Sequence, residues 1–142
     1  YDYIRLPATD TWGLLMPKDC PLASHSVIRP EDLWELPIIA SNQTMVSNEF
    51  SGWLGKDFEK LNIVATYNLV YNAALMAEEG LGYVLTLDKL VNTSGSGNLC
   101  FRPLAPKMEV HLDIVWKKYQ IFSGAAERFL RTVQETFSIF SG

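Results

Sequence analysis

Between Ile38 and Leu87 short apolar segments alternate with helix-like ones, and that alternation constrains the fold more than any other feature of the chain. Ile38-Ile39-Ala40 reads as a short buried strand, and Asn62-Ile63-Val64-Ala65-Thr66 as a β-branched one. Gly82-Tyr83-Val84-Leu85-Thr86-Leu87 is the third. Between the first two, Ser47 is the expected N-cap of a helix carrying Phe50, Trp53, Leu54 and Phe58, with Gly52 and Gly55 working against it. Between the second and third, Leu69, Ala73, Met76 and Ala77 recur at spacings of three and four. Asn68 precedes them as a cap, and Gly80 follows as a C′ glycine. Strand, helix, strand, helix, strand is the pattern of right-handed crossovers on a parallel sheet. The class is α/β.

The flanks add strands and two helices. Thr11 to Met16 reads as a buried strand stopped by Pro17, after an irregular start from Tyr1 to Asp10 with Pro7 and Asp10 as turn residues. Pro30 to Leu36 is a short helix with Pro30 in its first turn and Glu31 and Asp32 at its positive end; Pro37 closes it. Asn92 to Asn98 (NTSGSGN) is a surface loop by composition. Leu99 to Leu104 and Val110 to Trp116 read as strands. Ser123 caps a last helix with Phe129, Leu130, Val133, Phe137 and Phe140 on one face. There is no internal repeat and no separating linker.

Several function classes fall away on composition and motif. With 142 residues and 48% of them apolar, the chain can build a core. Its net charge of −4 does not suit a surface that draws on counterion release from duplex DNA. No apolar run approaches the roughly 20 residues that span a bilayer, so no membrane partner is expected. No basic and apolar leader precedes the first strand either. Tyr1 in place of Met leads us to expect a processed or excised chain. Cys20 and Cys100 fit a reducing compartment, with a single disulfide as the alternative. His25 and His111 do not cluster with Cys, Asp or Glu at ligand spacing, so no metal and no cofactor is expected. Nucleophile elbow, phosphate loop and dinucleotide fingerprint are all missing. Gly80-Leu81-Gly82 follows a helix and reads as its C-cap, and Ser96 between two glycines reads as loop. The two Asn-x-Ser/Thr tripeptides at Asn42 and Asn92 read as chance matches, and the four tryptophans as core residues. No catalytic residues are expected.

One cluster invites a ligand. The strand ending in Thr66-Tyr67-Asn68 runs straight into a helix N-terminus, where free amides and the helix dipole favour an anion. Beyond the strand C-termini of an open α/β sheet lies the usual binding crevice. Ser41, Asn42, Gln43 and Thr44 leave the neighbouring strand at the equivalent place. The competing structural role is that Asn68 only caps its helix and Thr66 only packs.

The succession LLMPKDCPLASHSVIRPEDLWELPIIA resembles the effector-binding domain of LysR-type transcriptional regulators. So do VATYNLVYNAALMAEEGLGYVLTL, LCFRPLAP with LDIVWKK, and the closing FSGAAERFLRTV; together they run from about Leu14 to Val133. Cys20 stands where the family usually has His, in a structural connector. The resemblance implies a fold like the type 2 periplasmic binding proteins, with the second lobe complete and the first truncated. Residues 37–106 would form lobe two, 1–36 a remnant of lobe one and the hinge, and 107–142 the return strand and closing helix of lobe one. It also implies a non-catalytic, cytoplasmic ligand sensor that binds a small organic anion between its lobes. The partners implied are that effector, further copies in a homo-oligomer, and DNA through an N-terminal winged helix-turn-helix outside this chain. The uncovered faces of a shortened lobe one would favour self-association. Carried over by position, Asn68 is the polar effector contact at the start of the lobe-two helix, flanked by Thr66 and Tyr67, with Ser41 and Asn42 in the adjoining loop. A fragment of a free-standing solute-binding protein is the alternative, and an α/β enzyme with its chemistry elsewhere a third.

Overall fold

The structure is a computed structural model in which residues 1–44, 48–55 and 58–137 are described. Its strands are β1 (Asp2–Pro17), β2 (Ile38–Ser41), β3 (Ile63–Tyr67), β4 (Tyr83–Leu87), β5 (Leu99–Pro103) and β6 (Glu109–Trp116). Its helices are α1 (Pro30–Leu33), α2 (Asn48–Leu54), α3 (Val70–Glu78) and α4 (Gly124–Phe137). The chain divides into two compact units, Tyr1–Asp10 with Glu109–Gly142, and Thr11–Met108.

In the Thr11–Met108 unit the strands lie in the order β3-β2-β4-β1-β5. β2 is parallel to both β3 and β4, as the alternation of elements requires. β1 then runs antiparallel to β4 and to β5. The sheet is therefore mixed. Gly13 to Met16 are buried because β1 is flanked on both sides and covered on both faces. Successive side chains of a strand point to opposite faces, and two cores result. Leu14 and Met16 join Ile28, Leu33, Phe50 and Leu85 on one, while Leu15 meets Tyr67, Ala73, Ala77 and Val84 on the other. Gly13 has no alternative residue: a Cβ there would lie 2.3 Å from Phe101 Cζ and 2.4 Å from the Arg102 carbonyl oxygen.

Local signals place most elements. Asp32 accepts the Arg29 amide at 2.9 Å, which closes the first turn of α1. Phe50 and Leu54 of α2 are buried at a spacing of four, and Phe50 lies 5.4 Å from Trp53, centroid to centroid. The expected Ser47 cap lies outside the described residues, as do Phe140 and the side chain of Phe58. α3 ends as its glycine foretold. Gly80 adopts φ +76, its amide bonds Ala77, and the Leu81 amide bonds Met76, a Schellman closure.

Three expectations are corrected. Residues 2–10 are extended within β1, not irregular, because this stretch pairs with β6 and buries Ile4 despite the missing donor of Pro7. α3 is capped by the extended backbone of Leu69, which is itself two-thirds exposed, and not by Asn68. On α4, capped by Ser123 Oγ at 3.3 Å from the Ala126 amide, the inward stripe is Ala126, Leu130, Val133 and Phe137. Phe129 falls off that stripe and is exposed.

Candidate functional site

Register builds the site before any side chain does. Ile39, Ala40 and Ser41 of β2 stand beside Ala65, Thr66 and Tyr67 of β3, and the Asn42 amide continues the ladder to the Tyr67 carbonyl at 3.1 Å. The loop after β2 and the start of α3 are thus brought side by side at the C-terminal end of the parallel strands. A cavity of about 480 Å³ opens there. Ser41, Thr44, Tyr67, Asn68 and Thr86 supply much of its polar wall, and Trp12, Leu69, Leu87 and Leu90 much of its apolar wall.

Ser41, Tyr67 and Asn68 line the cavity. Thr66 does not; it points to the exposed side of β3, opposite to Tyr67. Asn42 is exposed and not among the lining residues, yet its Nδ2 donates to Asn68 Oδ1. That bond engages one lone pair of Asn68 Oδ1, and the NH2 of Asn68 keeps its capacity to donate. The adjacent amides of Val70 and Tyr71 precede the first bond within α3, which Asn72 donates to Leu69 at 3.1 Å. This end of the cavity is a donor end.

The hydroxyls of the polar wall are held by their own bonds, and Gln43 adds an amide to that wall. Tyr67 Oη donates to the Leu85 carbonyl at 2.9 Å and also hydrogen-bonds Thr86. Burial pushes the Tyr67 phenol above its usual 10.0, and the Thr86 bond pulls it partly back. Ser41 Oγ and Thr44 Oγ1 are 2.7 Å apart, and Ser41 Oγ accepts the Thr44 amide at 3.1 Å. No lining residue is charged, so attraction for an anion comes from the helix terminus, about 0.3–1 kcal/mol when exposed.

Trp12, Thr86, Leu87 and Leu90 were not singled out from sequence. Thr86 did leave a signal: it is the one polar residue of the strand Tyr83–Leu87, and at 2% exposure it is held by Tyr67. Trp12 left none, since it reaches the cavity through its pairing with Leu87.

Elsewhere, among the described residues, no three His, Cys, Asp or Glu side chains group as metal ligands. Cys20 and Cys100 are free thiols, and burial raises Cys100 above its usual value. No helix among the described residues is long and apolar enough to cross a membrane.

The LysR substrate binding domain family matches residues 1–138. No curated protein matches the chain. Among solved structures, HinK, a LysR family transcriptional regulator from Pseudomonas aeruginosa, superposes with a TM-score of 0.68 at 17% identity, over 95% of this chain and 49% of that one. The C-terminal domain of a probable LysR family regulator from Rhodococcus sp. RHA1 gives 0.71 at 19%, over 93% and 67%. The effector binding domain of QuiR in complex with shikimate gives 0.69 at 14%, over 96% and 66%. The chain spans about half the length of HinK. At these identities the likeness is one of fold.

Proposed function

Because this chain belongs to the LysR substrate-binding-domain family, we propose that it is the effector-sensing part of a bacterial transcriptional regulator and that its effector is a small organic anion. The carrying observation is the Asn42–Asn68 hydrogen bond, which engages the Asn68 oxygen and leaves its NH2 to donate beside the free amides of α3. A donor end favours a carboxylate over an ammonium group. The shikimate bound by the QuiR domain is itself a carboxylate, which supports this reading. The apolar wall from Trp12 to Leu90 would take the body of the molecule.

The domain acts by binding and not by turnover, in the cytoplasm, as part of a homo-oligomer whose DNA contacts lie in another domain. Assignment of 37–106 to an effector lobe and of 1–36 and 107–142 to the other lobe and hinge belongs to the same proposal, with the effector held between lobes. Signalling then requires two states of unequal effector affinity.

Asn68→Asp tests this sharply. The aspartate still accepts from Asn42 but replaces the donor with a negative oxygen. Thermal shift against matched carboxylates and amines should show carboxylates stabilising the wild type, by about 2.7 kcal/mol at a hundredfold excess over Kd. The variant should melt like the wild type without ligand and lose that response. Equal stabilisation by amines, or an undiminished response of the variant, would refute the proposal.

A further inference from the structure

A second cavity, of about 710 Å³, lies against the first and shares Thr86, Leu87 and Leu90 with it. We propose that the two form one effector site divided at Leu90, and that the ligand is an elongated carboxylate with an apolar middle and a hydroxyl at its far end. The proposal rests on Asn68 as the carboxylate end.

Thr86, buried at 2% exposure, is the common floor, and Leu90, 53% exposed, stands at the junction. The position of Leu90 is set by a tethered turn. Asp88 exchanges two hydrogen bonds with the Thr11 backbone, at 2.8 and 2.9 Å, and Lys89 then takes the left-handed conformation, φ +66. Beyond Leu90 the wall changes character. Leu15 and Phe101 continue the apolar side, Asp88 and Lys89 line the cavity as an ion pair at 3.8 Å, and the segment Asn92, Thr93 and Ser94 brings amide and hydroxyl groups. Ser94 donates to Asn92 Oδ1 through both its amide and its hydroxyl, at 3.0 and 2.6 Å, so this segment is ordered by its own bonds. Half-buried Thr93 lines the cavity with a hydroxyl that can exchange a bond with a ligand hydroxyl. A carboxylate at Asn68, methylenes along Leu87 and Leu90, and a hydroxyl at Thr93 match the walls in the order in which they occur. Leu90 is then the residue that selects ligand length.

Calorimetric titration with butanoate, hexanoate, octanoate and 8-hydroxyoctanoate tests this. Affinity should rise about fourfold for each methylene buried past the junction, and the terminal hydroxyl should tighten binding further. Leu90→Trp, at an exposed position, should fill the junction and weaken the two longest probes several-fold more than butanoate, which reaches Leu90 only from the near side. Thr93→Val should remove only the advantage of the hydroxylated probe. If octanoate binds no better than butanoate, or if Leu90→Trp weakens all four equally or none, the divided site is wrong and the Asn68 end stands. If butanoate binding survives Asn68→Asp unchanged, the carboxylate end is wrong. Binding of none of the four overturns both.

Discussion

Tyr67→Phe isolates the bond that holds the floor of the cavity. The ring, packed with Leu15, Ala73 and Val84, stays in place. What goes is the hydroxyl that donates to the Leu85 carbonyl at 2.9 Å and bonds Thr86. A net hydrogen bond contributes about 0.5–1.5 kcal/mol, and a buried group left without its partner costs about 1–3. We expect a loss near the middle, about 1–2 kcal/mol, or roughly 2–8 °C in Tm for a domain of this size. The pH dependence sharpens the test. Folding raises the Tyr67 phenol above its usual 10.0. A raised value means the folded state prefers the protonated form, so this stabilisation is complete below pH 10 and is lost as pH climbs through the folded value. The difference between wild type and variant should therefore be largest from neutral to about pH 9 and shrink above about pH 10. Tyr83 is also raised but is present in both proteins, so it drops out of the difference. Urea unfolding followed by circular dichroism across that range gives both quantities. Equal midpoints at neutral pH, or a gap that does not change above pH 10, would refute the reasoning.

Two further perturbations probe other parts of the chain. Gly13→Ala should destabilise by about 1–3 kcal/mol, the usual cost of overpacking, because one of the atoms in the way is the Arg102 carbonyl oxygen, which cannot swing aside; an unchanged urea midpoint would contradict it. Asp113→Asn should remove an acid-sensitive contribution. Arg5 grips both oxygens of Asp113 at 2.9 and 3.2 Å and holds its carboxyl below the usual value. That contribution is present above the ordinary carboxylate range and lost as pH falls through the lowered value. Wild type and variant should thus converge in melting experiments below about pH 3 and also in about 1 M salt. Both groups are exposed, so persistence of a difference in high salt would point to packing instead.

Much of this was legible because it is local. The Gly80 closure, the Ser123 cap and the strands β2 to β5 follow from residues within a few positions of each other. The placement of Ser41 beside Tyr67 was legible too, since parallel strands that each lead into a loop must end side by side. Residues 2–10 misled because Pro7 and Asp10 carry turn propensity, whereas pairing with β6, about a hundred residues away, makes them a strand. Asn68 misled in the opposite sense. Its position fits a cap, but Asn42, 26 residues earlier, takes its oxygen, and the helix begins one residue later.

The sequence by itself determined the α/β alternation, the parallel core of the sheet and the strand ends at which a ligand could sit. Each of these depends on periodicity and backbone conformation, which neighbouring residues set. Tertiary structure alone decided which way the Asn68 amide faces, that Thr66 turns away, and that Trp12, Thr86 and Leu90 complete the wall. Those outcomes depend on register and on hydrogen bonds between residues far apart in the chain. A side chain with both donor and acceptor takes its final role from whichever partner the fold presents first.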